Sequence, residues 1–328
     1  MPFSDRFEYL FLYEVRDCNP NGDPLEENRP RTDPETGQAL VSDARIKRTI
    51  RDAILAEEPE EAVRLEQGIE ILIRDTHKSS GYLSEGKDRA EQFVDPELQK
   101  LKPAAFESAL QERILSRCID ARLFGTTLPT GAKESKSAGS LKVTGPVQFM
   151  ALNRSLHRVT PLVVQQTAAF AGSAKAKQRS FAERHLLPYA AILVTGVANE
   201  AAARTSTATE EDLDRMESAL WTGTRDLATT SKLGHAPLLL LRARYEAGTQ
   251  LGALGRRISV RSDVPEDALR GCEQFVLDLG PLLEAWTGLG ERLRSVRVRA
   301  DERVRVADGE REGRADELLA TRGFRLEE

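Results

Sequence analysis

Residues 6–15 read RFEYLFLYEV, and this stretch decides the fold. Polar and apolar residues alternate at its start, and the run then becomes apolar and rich in aromatic and aliphatic residues. Such a pattern suits a central β-strand that is covered on at least one face. We therefore predict a strand from about Arg6 to Val15, inside a sheet.

The segment after this strand predicts a turn and then an amphipathic helix. Residues 17–24 read DCNPNGDP, which is strong turn chemistry, and residues 42–55 read SDARIKRTIRDAIL. In the second stretch Ile46 and Ile50 fall on one helical stripe, with Ser42 as the N-cap. The cations fall on the other side and predict an exposed basic face: Arg45, Lys47, Arg48 and Arg51.

The rest of the chain mixes strand and helix patterns. Strands are predicted at 68–75, 141–152, 186–199, 236–246 and 292–306, and helices at 106–125 and 209–221. This order favours an α+β fold, namely a split β-α-β antiparallel sheet of the RRM or ferredoxin type. We expect one elaborated domain over residues 1–328, with long functional inserts at about 75–105, 123–142 and 153–184.

Charge is distributed unevenly along the chain. The 328 residues carry a net charge of −5, yet residues 121–182 hold nine basic residues and one acidic residue, a net +8 that leaves −13 for the remainder. Such asymmetry is typical of a protein with one surface for phosphate, although a basic solvated loop would give the same count. The three scattered cysteines and the absence of a long apolar run predict a soluble cytoplasmic protein with reduced thiols, without a membrane partner.

Several blocks in fixed order resemble the Cas7 family of type I CRISPR systems, most closely the type I-B subfamily. They cover roughly residues 5–245, and the part after about Leu251 matches loosely. The blocks are FLYEVRDCNPNGDP (11–24), NRPRTDPETGQALVSDARIKRTIRD (28–52), CIDARLFG (118–125), TGPVQF (144–149), RSLHRV (154–159), LLPYAAILVTGVANE (186–200) and SALWTGTRDL (218–227).

The resemblance implies a structure and a function. The structure is an RRM-like palm with finger or web inserts at 75–105 and 123–142 and a thumb at 153–184. The function is a backbone subunit of a Cascade complex that polymerises head-to-tail along CRISPR RNA, beside other Cascade subunits, and presents the guide for pairing with target DNA. No catalysis, cofactor or metal is expected.

Three interpretations of the 17–24 loop stay open. Asp17, Asp23 and Asp33 are possible oxygen ligands for a metal, but their spacing matches no known calcium loop. The loop can equally be a purely structural turn. In the third interpretation, which the resemblance supports, the amides of Asn19 and Asn21 line an RNA groove beside the basic helix.

An RNA groove that accepts any guide sequence needs cations along its length and few contacts with base edges. A flexible insert supplies Lys133 and Lys136, and an apolar wedge, Phe170, lies beside a second basic run. The candidate RNA-binding residues are Asn19, Asn21, Arg45, Lys47, Arg48, Arg51, Lys133, Lys136, Arg154, Arg158, Phe170, Lys175, Lys177 and Arg179. Ordinary loop solvation explains several of them equally well.

Two other functions remain alternatives. Type III relatives of this family cut bound target RNA with an aspartate and a metal, and Asp17, Asp23, Asp33 and Asp43 lie near the predicted groove. The four histidines are isolated in the sequence, without the spacing of a hydrolase motif. A general single-stranded RNA-binding protein would share the groove but would not need to self-associate.

Overall fold

The computed structural model describes residues 1–77, 86–130, 139–167 and 181–327. The strands are β1 (Arg6–Cys18), β2 (Gly22–Asp23), β3 (Arg29–Pro30), β4 (Gln38–Ser42), β5 (Gly125–Thr130), β6 (Gly139–Thr144), β7 (Val147–Phe149), β8 (Leu152–Arg158), β9 (Leu162–Thr167), β10 (Phe181–Ala198), β11 (His235–Tyr245), β12 (Ser259–Arg261), β13 (Val276–Asp278), β14 (Leu293–Ala300), β15 (Val306–Ala307), β16 (Glu312–Gly313) and β17 (Leu326–Glu327).

The helices alternate with these strands, so the fold class is α+β, as predicted. They are α1 (Asp43–Glu57), α2 (Glu61–Gln67), α3 (Gly86–Glu91), α4 (Pro103–Arg117), α5 (Ile119–Phe124), α6 (Glu200–Ser206), α7 (Glu210–Arg225), α8 (Gly280–Leu289) and α9 (Ala315–Thr321). Among the helices that the structure describes, none has the length and apolar character needed to cross a membrane.

A central antiparallel sheet contains β1, as the sequence predicted. Its strand order is β17-β14-β11-β1-β10-β8-β4, and β7 and β9 also pair with β10. Every residue of β1 from Phe7 to Val15 is buried, so this strand is covered on both faces. The apolar run at the start of the chain therefore forms the middle of the sheet.

The chain divides into two compact units. The sheet unit consists of Phe7–Ile46, Phe149–Gly196 and Thr224–Glu328, and the helical unit of Met1–Arg6, Lys47–Gln148 and Val197–Gly223. The sheet unit has a large apolar core in which Trp286 Nε1 donates to Tyr245 Oη at 2.8 Å. In the helical unit the β5/β6 hairpin and α4 share a core that includes Leu110 and Leu141.

Two predicted helix starts are confirmed by their caps. Ser42 Oγ accepts a hydrogen bond from Arg45 N at 3.3 Å, at the start of α1. At the start of α7, Asp212 Oδ2 accepts from Thr209 N at 3.0 Å and Thr209 Oγ1 accepts from Asp212 N at 3.2 Å. The second pair is the reciprocal capping box that the sequence predicted.

The strand predicted at 68–75 is wrong. Apart from an isolated bridge at Glu70, this segment makes no ladder. After Glu70, backbone groups of the segment bond to side chains instead: Asp120 accepts from Leu72 N at 2.7 Å and from Ile73 N at 3.1 Å. Because side chains form hydrogen bonds with these backbone groups, the apolar run is buried without a partner strand.

Three other boundaries differ from the sequence prediction. The helix expected at 106–125 is interrupted at Cys118, between α4 and α5, and the strand expected at 141–152 falls into three short strands. The long inserts also contain regular structure, since β5 pairs with β6 and β9 pairs with β10. The expectation of one domain over the whole chain stays a prediction.

Candidate nucleic-acid interface

The 17–24 loop in the sheet unit is held by its own polar groups, as a turn requires. Asn19 is buried, its Nδ2 donates to Asn28 O at 2.6 Å and its backbone N donates to Ser231 O at 3.0 Å. Asp23 Oδ1 accepts from Leu25 N at 3.0 Å. The loop therefore forms a hydrogen-bonded turn, and whether it also binds RNA stays a prediction.

Asn21 links this loop to the start of α1. Its Oδ1 accepts from Ser42 N at 2.8 Å and from Ser42 Oγ at 3.0 Å. The amide thus fixes the N-cap residue of the helix that carries Arg45. In the structure Asn21 is a positioning residue for the basic helix.

Two cations lie together beneath the loop. The ammonium of Lys232 donates to the carbonyls of Asn19 and Pro20, the latter at 2.8 Å. Burial, reinforced by the charge of Arg45, lowers the pKa of Lys232 to about 8. Burial and the same two cations lower the pKa of His235 to about 3, so His235 is neutral at physiological pH. Burial, with the charges of Lys232 and Arg45 adding to it, therefore disfavours the protonation of His235.

A cleft of about 370 Å³ opens beside this loop. Its lining consists mainly of hydrogen-bonding side chains: Asn19, Glu27, Asn28, Glu183, Arg184, His185, Leu186, Thr229, Thr230 and Ser231. Two of these residues each have a buried polar atom without a hydrogen-bond partner in the described part of the chain. The two atoms are Asn19 Oδ1 and His185 Nε2. The cleft can therefore accept a polar ligand.

Arg154 and Arg158, on β8, are partly engaged by the protein. Arg154 pairs with Asp33, and this hydrogen bond holds the pKa of the Asp33 carboxyl below its usual value. Arg158 is exposed, and its Nε donates to Thr36 O at 3.3 Å. Both cations lie in the sheet unit, but a phosphate would have to compete with Asp33 for Arg154.

The predicted exposed face of α1 is wrong at Arg51. This side chain is buried, its Nε donates to Asp120 Oδ2 at 2.8 Å, and its guanidinium lies over the Phe124 ring. Lys47 lies over the same ring, with Nζ 5.7 Å from the centroid. Arg48 is exposed and pairs with Asp52 at 2.7 Å. Of these three cations, Arg48 offers the most accessible charge.

Six predicted residues lie outside the described part of the chain, namely Lys133, Lys136, Phe170, Lys175, Lys177 and Arg179.

The strands on either side of residues 168–180 are described. β9 pairs with β10 in an unbroken register from Leu162 and Leu186 to Thr167 and Phe181. On this ribbon Leu162, Val163 and Val164 are 49%, 55% and 39% exposed, so apolar side chains face solvent on successive positions.

His157 has a structural partner at each of its ring nitrogens. His157 Nδ1 lies 2.8 Å from Arg158 O, and His157 Nε2 accepts from Ala191 N at 3.1 Å. Within the described ranges, no group of three or more His, Cys, Asp and Glu residues is placed to hold a metal ion.

Sequence reasoning missed Lys232 and the cleft residues other than Asn19. Lys232 follows α7 in a turn, TTSKLGH (229–235), that looks like an ordinary connection. The turn approaches the 17–24 loop because β11, which follows it, lies beside β1 in the sheet. No local pattern in the sequence signals that proximity.

Comparison with known proteins identifies the family. The family model described as CRISPR-associated protein Cas7 matches residues 5–280. The chain belongs to the Cas7 family. A curated relative of this Cas7-family chain, the CRISPR-associated protein Cas7 of Haloferax volcanii, is 28% identical over 336 aligned residues, which cover 96% of this chain and 92% of the relative.

Two solved structures share the fold of this Cas7-family chain. A chain of a "CRISPR RNA-guided surveillance complex, pre-nicking" aligns with a TM-score of 0.53 and 14% identity, covering 97% of this chain and 99% of the other. A chain of a "CRISPR RNA-guided surveillance complex" aligns with a TM-score of 0.50 and 15% identity, covering 90% and 89%. At such identities the likeness concerns the fold.

Proposed function

We propose that this chain is a non-catalytic backbone subunit that binds CRISPR RNA in a Cascade surveillance complex of type I-B. Copies assemble head-to-tail along the RNA in the cytoplasm, together with other Cascade subunits. The bound RNA is presented for pairing with target DNA. Membership of the Cas7 family and the fold shared with chains of RNA-guided surveillance complexes support this proposal.

The observation that carries the RNA-binding step is the cationic pair beneath the 17–24 loop. Lys232 is half-buried, and burial together with the charge of the neighbouring Arg45 guanidinium disfavours the charged form of its ammonium. A phosphate bound there would relieve the repulsion and restore the ordinary pKa of Lys232. The carbonyls of Asn19 and Pro20 already orient the ammonium.

The assembly step is supported by the β9/β10 ribbon. We assign the sheet unit as the RRM-like palm, the β5/β6 hairpin as part of a finger, and the β9/β10 ribbon as the base of the thumb. Exposed apolar side chains on consecutive ribbon residues mark a surface for another molecule. In a head-to-tail assembly that molecule is the next copy or the RNA lying on it.

Purification without nuclease tests the function directly. The protein is expressed in a host that carries a CRISPR array, isolated at low salt, and analysed by size exclusion with light scattering and by sequencing of any nucleic acid that copurifies. We expect repeat-spacer RNA and particles larger than one subunit. A monomer without RNA, or RNA without repeat-derived ends, contradicts the proposal.

A further inference from the structure

We propose that the cleft beside the 17–24 loop binds a ribose 2′-hydroxyl, so that the protein selects RNA over DNA independently of base sequence. The inference deepens the proposed function and rests on it. Its basis is two buried atoms that have no hydrogen-bond partner among the described residues, Asn19 Oδ1 and His185 Nε2, on residues that line one cleft. Asn19 is 2% exposed and His185 is 8% exposed.

The chemistry of the two atoms defines the ligand. The amide of Asn19 cannot be reversed, because its Nδ2 must donate to Asn28 O. Its oxygen therefore requires a donor. His185 Nε2 lies 4.0 Å from Glu27 Oε2, beyond hydrogen-bond distance, and it needs an acceptor or a donor according to the tautomer of the ring. A hydroxyl group is both donor and acceptor, so a 2′-hydroxyl matches the hydrogen-bonding requirement of either atom.

Charge argues against a phosphate in the cleft itself. Glu27 and Glu183 line it and would repel an anion, whereas Arg184 is the one side chain of fixed positive charge among the described residues of its lining. The cation for a phosphate is nearby, because Lys232 binds the carbonyl of Asn19, whose side chain lines the cleft. A nucleotide can thus place its sugar in the cleft and its phosphate toward Lys232.

A hydroxyl site is also compatible with a guide of any sequence. Every ribonucleotide carries the 2′-hydroxyl, and this group is what distinguishes RNA from DNA at a given site. Base-edge readout at the same place would restrict the guide. The cleft therefore adds selectivity for the type of nucleic acid while phosphate contacts supply the affinity.

The test compares four oligonucleotides of one sequence and length on the intact protein: RNA, DNA, 2′-fluoro RNA and 2′-O-methyl RNA. Fluorescence anisotropy gives Kd for each at several salt concentrations. We expect RNA to bind on the order of tenfold more tightly than the other three, as one or two net hydrogen bonds predict. The salt slopes should be equal, because the phosphates are the same. The 2′-fluoro strand keeps an RNA-like sugar but has no hydroxyl hydrogen to donate. Its loss of affinity relative to RNA therefore measures the hydrogen bond that the 2′-hydroxyl donates.

Two variants complete the test. His185→Phe should bring the RNA and DNA affinities together without changing the salt slope, whereas Arg184→Gln should weaken both equally and keep the preference. Melting temperatures confirm that each variant is folded. If His185→Phe does not fold, the comparison of RNA with 2′-fluoro RNA on the unaltered protein tests whether the 2′-hydroxyl is recognised.

Equal affinity for RNA, DNA and 2′-fluoro RNA, or a preference that persists in folded His185→Phe, overturns this inference. Steep salt dependence with no RNA preference would leave the proposed function intact. Failure to bind any of the strands would instead contradict the proposed function. The two failures are therefore distinguishable.

Discussion

The ammonium nitrogen of Lys232 lies 2.8 Å from the carbonyl oxygen of Pro20, so a turn after α7 holds the loop after β1. Two segments more than two hundred residues apart meet here because their strands are neighbours in the sheet. The contact places a cation of lowered pKa next to the asparagines that the sequence singled out. The pH dependence of RNA affinity can therefore test whether Lys232 takes part in RNA binding.

RNA affinity should fall as the pH rises through about 8. The pKa of Lys232 is lowered to about 8 in the folded protein, whereas an unfolded lysine titrates near roughly 10.4. RNA binds the charged form of Lys232 more tightly. Above pH 8 this lysine must take up a proton when RNA binds, so the affinity decreases. Anisotropy with an oligonucleotide of adenines and cytosines between pH 7 and 9.5 measures this effect.

The same shift predicts that stability without RNA rises between pH 8 and about 10. The unfolded chain binds the extra proton in that window, so the free energy of unfolding increases with pH. Lys232→Arg keeps its charge and is the control: it should lose both pH dependences. An RNA affinity that is constant from pH 7 to 9.5 in the unaltered protein would contradict the role of Lys232.

Arg51 and Arg48 should behave differently when each is replaced by alanine. Arg51→Ala leaves Asp120 buried without its guanidinium and should cost about 3 kcal/mol of stability. Arg48→Ala removes an exposed charge and should change stability by less than about 0.5 kcal/mol while weakening RNA binding. Denaturant melts and anisotropy separate the two effects. Equal stability of the two variants would mean that Arg51 is exposed in solution.

Bound RNA should stay intact whether or not a divalent metal is present. Asp33 is engaged by Arg154 and by the backbone N of Glu35, which leaves it poorly placed as a metal ligand or base. Labelled RNA incubated with the protein, with chelator or with Mg²⁺ or Mn²⁺, should stay full length on a denaturing gel. Metal-dependent cutting that disappears in Asp17→Ala or Asp33→Ala would establish the type III alternative.

Replacing residues 168–180 with a short Gly/Ser linker should weaken both RNA binding and assembly. The Thr167 and Phe181 pair keeps the ends of β9 and β10 together, so the sheet unit should remain folded. The variant should bind RNA weakly and no longer form oligomers that grow with RNA length. Light scattering on RNAs of several lengths checks this, with a linker of equal length and native charge as the control. Unchanged assembly would place the thumb elsewhere, with the 123–142 insert as the alternative.

The sequence predicted those parts of the fold that local patterns determine. β1, the N-cap at Ser42 and the capping box at Thr209 depend on side chains within a few residues of each other. Arg51 was misplaced because its partner, Asp120, is 69 residues away and no periodicity indicates it. Lys232 was missed for the same reason: its partners are carbonyl groups brought close by sheet topology.

The salt dependence of single-stranded RNA binding tests the central claim most directly. If phosphate contacts dominate, log K falls linearly with log salt, with a slope of about −0.7 for each phosphate neutralised. Lys232→Gln and Arg48→Gln should each make the slope shallower by about 0.7, and affinity should vary little among unrelated sequences. An affinity that does not depend on salt, or a strong preference for one short sequence, would contradict the account.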